Sequence, residues 1–395
     1  MKNLFRKVKN ISLLVGMCYF FYSSPFANSF KARCNSITRI NKLFPKLIKT
    51  QINETAIALQ INANSPVEDK YLLKPISLGD NKGYFMAVFD GHGGDYVSQY
   101  ANSVIYDYFL SAYNNIPSCS NEEEKVTMAI KSSFNKIEKE IYKESYERYL
   151  KGEGRAATVG SCALLGIVVN NKLYMANLGD SKARMFSVKE TDKNDKYTDF
   201  EVTKLSIVFN ARKKFEQERL MKEYPNEKNI YMCVSPGACY VKGRLQPTRS
   251  LGDFHLKYAE FNNHVQTKDN SKKYKKEIAG FDGPYISSEP DIKIFELTKK
   301  DKYLLMATDG LWDFLRSREI SEIFKKSINA TIEKNCFNVL STCLEKAATE
   351  SRMTIEQMVK VPEGRGRRRL HDDITIFLKK SRKVSPGDTL RFSLD

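Results

Sequence analysis

No aspartate or glutamate occurs before Glu54, whereas ten lysines and arginines do, so the front of this 395-residue chain is basic and free of acid. Tryptophan occurs once, at Trp312, and histidine only four times. The eight cysteines (Cys18, Cys34, Cys119, Cys162, Cys233, Cys239, Cys336, Cys343) contain no C-x-x-C pair. That scatter offers no zinc site, and in a chain this long it reads as small buried residues in a reducing compartment, not as a disulfide framework. Long apolar runs are missing too: residues 11–22, ISLLVGMCYFFY, number twelve where about 20 are needed to cross a bilayer, so no stable membrane span is expected. The net charge of +17 invites a nucleic-acid reading. Setting the ten basic residues at the front aside leaves 54 basic against 47 acidic ones, in local runs without interleaved aromatics, and this argues against a nucleic-acid partner.

What is present suits a large core: 42% hydrophobic residues, with 23 Phe and 21 Tyr. We expect a targeting leader at 1–50, one catalytic domain at 51–380 with a lysine-rich insertion near 262–282, and a tail at 381–395. The acid-free leader fits a mitochondrial transit peptide. Its basic start, apolar centre and Ala27 also fit a secretory signal, a membrane anchor or the beginning of a plastid leader.

The stretch that organises the chain is residues 84–96, YFMAVFDGHGGDY. Residues 85–89 read as a buried strand that ends on the carboxylate of Asp90. Gly91, Gly93 and Gly94 surround His92 and let the backbone turn sharply and come close to an ion. A carboxylate beside an exposed carbonyl is what a hard divalent cation takes, although Asp-Gly also marks ordinary hairpins. The architecture recurs at residues 301–315, DKYLLMATDGLWDFL, where another apolar strand ends in Asp309-Gly310. Two such strand ends can hold two cations about 4 Å apart, the separation used in two-metal phosphoryl chemistry. Trp312 reads as core. Asn170-Asn171, between two apolar runs, predicts a hairpin, and helical spacing predicts helices over 96–113 and 122–150. The arginines from Arg365 to Arg369 read as a solvated loop, a docking patch or an aid to phosphate binding.

These motifs, with Glu68-Asp69 in a loop before them and Asp372 before an alternating strand at 374–378, resemble the metal-dependent 2C-type protein Ser/Thr phosphatases over about residues 56–379. The resemblance implies an α+β fold of two antiparallel β-sheets packed as a sandwich, flanked by helices on both outer faces. It implies two central Mg2+ or Mn2+ ions on Asp90, the Gly91 carbonyl, Asp309 and Asp372, with Glu68 and Asp69 in the water shell. A third, looser ion falls to Asp180 and Asp313. A metal-bridged hydroxide would attack phosphorus in line, and His92 would protonate the leaving seryl or threonyl oxygen. Where the family commonly carries a phosphate-binding Arg, this chain has Asn64, a donor without charge. Segment 241–253, VKGRLQPTRSLGD, matches a family motif, with Arg249 read as structural, while segment 205–223 departs from the family, which often shows Asp-His where this chain has Val208-Phe209. Asn64-Ser65-Pro66 resembles the pyruvate dehydrogenase phosphatase branch, and the ending His371-Asp372-Asp373 also resembles a plant subgroup. The expected enzyme is a monomer that acts on phosphoserine and phosphothreonine proteins, in the mitochondrion if the leader is a transit peptide. The alternative class is a phosphatase-like binding protein that has lost catalysis.

Overall fold

A computed structural model describes residues 36–117, 121–189, 199–235, 237–262 and 278–381. The apolar run at 11–22, most of the lysine-rich insertion and the tail beyond 381 lie outside the described residues. In chain order the elements are α1 (Ser36–Leu43), β1 (Ile48–Ile52), β2 (Ala56–Ile61), β3 (Lys70–Leu78), β4 (Asn81–His92), α2 (Tyr96–Asn115), α3 (Glu122–Leu150), β5 (Gly160–Val169), β6 (Lys172–Leu178), β7 (Lys182–Val188) and β8 (Phe200–Lys204). They continue as α4 (Lys214–Glu223), β9 (Tyr231–Ser235), β10 (Ala238–Val241), β11 (Leu251–Gly252), β12 (Asp291–Glu296), β13 (Asp301–Ala307), α5 (Asp309–Trp312), α6 (Ser317–Lys326), α7 (Ile332–Glu350), α8 (Ile355–Met358), α9 (Arg365–Arg368) and β14 (Ile374–Lys380).

Two large antiparallel sheets carry the fold, one in the order β1-β2-β14-β13-β7-β8 and the other β12-β6-β5-β4-β3 with β11 paired to β5, while β9 and β10 form a separate two-stranded antiparallel sheet. Alternation along β4 shows how the layers stack. Tyr84, Met86 and Val88 point into the core between the sheets, where they meet Leu164, Met175, Met306 and Phe377. Phe85, Ala87 and Phe89 point the other way, into the helices α2 and α3, with Phe109, Ile130 and Phe134. Both faces of β4 are buried, so its sequence shows an unbroken apolar run instead of an alternating one. On the far side α1, α6 and α7 cover the other sheet through Ile40, Phe324, Phe337 and Leu340 against Leu59, Leu305 and Ile376. The expected helix-flanked sandwich is therefore the fold. Asn170 and Asn171 take φ of 49° and 57°, the left-handed pair that a two-residue hairpin turn between β5 and β6 requires.

Two expectations need correction. The segment expected to be leader is folded from Ser36 onward: Ile40 of α1 and Phe44 just after it are buried in the core, and β1 pairs with β2. The basic residues there are partly matched to the body, with Arg39 on Glu356 at 2.9 Å, Lys46 on Glu363 at 3.0 Å and Lys49 on Glu333 at 2.8 Å. The cysteines are not all reduced. Antiparallel pairing of β9 and β10 sets Cys233 opposite Cys239, with Cα atoms 3.9 Å apart, and the two form a disulfide, whereas Cys162, Cys336 and Cys343 are buried thiols.

Candidate active site

Two close chain crossings build the site. Strand β4 runs past Asp90 to His92, beyond the end of its apolar run at Phe89, because β5 keeps pairing with it to Gly160. At Gly91 a Cβ would lie 2.4 Å from the carbonyl oxygen of Glu68, so the loop after β2 crosses where only glycine fits. Ser98, in the first turn of α2, ties that carbonyl down by donating its hydroxyl at 2.5 Å. Gly310 repeats the arrangement, since a Cβ there would lie 2.1 Å from the carbonyl oxygen of Asp373. Each Asp-Gly thus pairs a carboxylate with a close backbone crossing. Thr308 and Thr375 lock the second crossing through Thr308 N to Thr375 O at 3.1 Å and Thr375 N to Thr308 Oγ1 at 3.0 Å.

The crossings bring carboxylate oxygens of Asp90, Asp180 and Asp309 within 4.8 Å of one another. Asp180 is held inward by the Asn210 amide at 2.7 Å and the Cys162 thiol at 3.4 Å. Among the described residues no lysine or arginine forms an ion pair with any of the three. Burial first, then the charges of Asp309, Asp69, Asp180 and Asp372, pushes the Asp90 carboxyl well above the usual range. Asp309 is raised in the same way, by burial and then by Asp180 and Asp372. Asp69 is raised by burial and by Asp373 and Asp372, against a 2.7 Å hydrogen bond from Thr375. Such crowding is what a bound cation relieves, and a donor set made wholly of oxygen matches a hard divalent ion.

Next to this cluster lies a second corner of opposite character. Asp373 Oδ1 accepts the backbone N–H groups of Ala63 (2.6 Å) and Asn64 (2.8 Å), and its Oδ2 accepts those of the Glu68 backbone (2.8 Å) and the Asn64 amide (3.0 Å). The loop carrying Glu68 is therefore hung on Asp373, which is buried. Asp372 Oδ1 receives Arg368 Nη1 and the Asp373 N–H, and Arg368 Nη1 also lies 3.8 Å from Glu68 Oε2. Burial raises the Glu68 and Asp372 carboxyls, with Arg368 the leading opposing charge at both.

The remaining residues are placed as follows. His92 Nε2 and Asp253 Oδ2 are 2.7 Å apart, and Ser250 Oγ donates to the same oxygen at 2.6 Å. Burial pulls the His92 pKa down, but the charge and hydrogen bond of Asp253 outweigh it and leave the imidazole above its ordinary value. Asp313 sits one turn beyond Asp309, raised by burial against Arg212 and Lys182. Burial and Arg212 lower Lys182 to about 8.

A sequence profile of the protein phosphatase 2C family matches residues 60–352. The chain belongs to that family. Probable protein phosphatase 2C 64 of Arabidopsis thaliana is 30% identical over 338 residues, which cover 84% of this chain and 79% of that protein. Among solved structures, a serine-threonine phosphatase 2C from Toxoplasma gondii superposes with a TM-score of 0.55 at 18% identity, over 84% of this chain and 98% of that one. A C. elegans sex-determining protein gives 0.54 at 18%, over 83% of this chain and 64% of the other. At that identity the two structures speak for the fold. As a family member the chain is a metal-dependent Ser/Thr protein phosphatase, and phosphoproteins are its substrates.

Against the grouping implied by the motifs, Asp180, assigned to an outer ion, joins Asp90 and Asp309, whereas the Oδ1 of Asp372 is turned to Arg368. Asn64 stands at the site, but its amide is engaged by Asp373 and, at 3.4 Å, by Asp372. Arg249 is structural: its guanidinium lies 3.9 Å from the Phe209 ring centroid and donates to the Glu289 carbonyl at 2.7 Å. Trp312 is core. The motifs give no role to Asp253 or Asp373, and they leave Arg368 undistinguished within the arginine cluster 365–369. For Arg368 the signal was present, because it stands four residues before Asp372, the spacing of a helical ion pair.

Proposed function

We propose that the chain hydrolyses phosphoserine and phosphothreonine in proteins with Mg2+ or Mn2+ held by Asp90, the Gly91 carbonyl, Asp309 and Asp372. Glu68 and Asp69 orient bound water, and Asp180 and Asp313 serve a further ion. Two divalent ions there would supply an activated water and offset phosphoryl charge. The observation that carries this reading is the cluster of Asp90, Asp180 and Asp309, crowded and without an ion-pair partner among the described residues. His92 contributes the proton for the leaving oxygen: Nε2 is committed to Asp253, which favours the charged ring, and Nδ1, with no hydrogen-bond partner among the described residues, donates. The purified protein should hydrolyse a phosphothreonine peptide in millimolar Mg2+ or Mn2+ and stop in EDTA. Equal turnover without metal would defeat the mechanism, and no turnover in either metal would favour the binding-protein alternative.

For the substrate we propose a phosphoserine protein of the mitochondrial matrix, the pyruvate dehydrogenase complex or an analogous dehydrogenase. The basic, acid-free leader and the Asn64-Ser65-Pro66 motif support it. Because the fold begins by Ser36, the segment to test is 1–35. Fused to a reporter, it should carry the reporter into mitochondria with cleavage. A reporter found glycosylated, in the endoplasmic reticulum or in plastids would overturn the compartment and leave the phosphatase intact.

A further inference from the structure

A phosphoryl dianion needs protein donors as well as metals, and the Asn64 amide is already engaged by Asp373 and Asp372. Beside it stands a full guanidinium. The Gly364 N–H donates to the Ala63 carbonyl at 2.7 Å, which lays the one-turn helix α9 along the Asn64 loop. Within that turn the arginines divide their work. Arg367 is buried and donates to the carbonyls of Val359 (2.7 Å) and Val361 (2.6 Å), and this fixes the turn. Arg368 faces the carboxylates: its Nη1 contacts Asp372 and lies 3.8 Å from Glu68, while its side chain remains 41% exposed. Among the described residues the protein contacts of Arg368 all run through Nη1, so most of the five N–H donors of the fork are uncommitted.

We propose that Arg368 binds the phosphoryl group of the substrate, and the orthophosphate product, in place of a cation at position 64. The inference rests on the phosphatase reading of the same site. A guanidinium suits this task because its planar fork meets phosphate oxygens in pairs, with charge that an amide lacks. The pair with Asp372 holds the fork at the site until phosphate arrives.

The test uses the full chain with Mn2+, comparing wild type, Arg368→Ala and Arg368→Lys. Calorimetry measures Mn2+ binding without phosphate and orthophosphate binding with Mn2+ present, and steady-state kinetics on a phosphothreonine peptide separates KM from kcat. Arg368→Ala should weaken orthophosphate binding and raise KM by about tenfold, the loss of one charge-assisted contact. Its Mn2+ affinity should be unchanged or higher, and Arg368→Lys should recover part of the phosphate affinity. Phosphate affinity within twofold of wild type would overturn the proposal, as would a loss that only mirrors weakened Mn2+ binding, the mark of a residue that merely positions Asp372. If Arg368→Ala does not fold, Arg368→Gln is read by the same criteria. Should wild type bind both ions yet not turn over, the phosphatase reading falls while the calorimetry still decides Arg368.

Discussion

Two corners of one site hold acidic residues in contrasting ways. At the ends of β4 and β13 and in the turn between β6 and β7, Asp90, Asp309 and Asp180 are crowded together with no ion-pair partner among the described residues. At the start of β14, Asp373 is satisfied by three backbone N–H groups and an amide, and Asp372 by an arginine. The first corner keeps its charge for a cation that the chain does not supply. In the second, Asp373 spends its charge on building the loop that carries Glu68. Counting carboxylates does not separate these roles, because both corners are rich in them; the donors that each already possesses do.

Neutralising a residue in each corner should break this contrast in different ways. The largest effect is expected from Asp309→Asn: an amide holds a divalent ion far less well than a carboxylate, so turnover of a phosphothreonine peptide at saturating Mg2+ should fall on the order of 100-fold or more. Near-wild-type turnover would remove Asp309 from the cation corner. Next comes His92→Ala, expected to cost about 100-fold on phosphothreonine peptides and much less on p-nitrophenyl phosphate, whose leaving group needs little protonation. Equal losses would remove the general acid. Asp373→Ala strands three backbone N–H groups and should lower unfolding free energy by about 3 kcal/mol, read from urea titration. Asn64→Ala, which removes one amide from the satisfied corner, should cost about 1 kcal/mol and leave the KM for peptide nearly unchanged, in contrast to Arg368.

A pH dependence sharpens the same contrast. The raised carboxyls of Asp69, Asp90 and Asp309 bind more protons in the folded than in the unfolded chain. Their stabilising contribution is present below the unfolded value of about 4 and is lost as pH rises through the higher folded values. Metal-free protein should therefore lose stability as pH climbs from about 4, and saturating Mg2+ should flatten that slope. A metal-free melting temperature that rises over the same window would contradict the crowding.

The sequence made the β4 strand, the Asn170-Asn171 turn and the span of α3 legible because each is encoded locally, by apolar run, by left-handed asparagines and by Glu122, Glu123 and Glu124 at a helix start. Asp90, Asp309 and Asp372 were legible as strand-end acids. What stayed hidden depends on which chain crosses which. The arginine run 365–369 looks uniform, yet one helical turn buries Arg367 and aims Arg368 at Asp372. Asp253 and His92 are 161 residues apart, so nothing local pairs them. The basic front resembled a leader to residue 50 because the carboxylates that match Arg39, Lys46 and Lys49 come from Glu333, Glu356 and Glu363, far along the chain. The Cys233–Cys239 bridge escaped notice because it needed the β9–β10 register.

The central claim is that the Asp90–Asp180–Asp309 corner is strained by its own charge until a divalent cation binds, and urea unfolding of chelator-treated wild type and Asp309→Asn, each with and without Mg2+, tests it most directly. The account predicts that Asp309→Asn is the more stable protein without metal, and that Mg2+ stabilises wild type much more than the variant. A variant less stable than wild type without metal, or equal stabilisation of both by Mg2+, would contradict it.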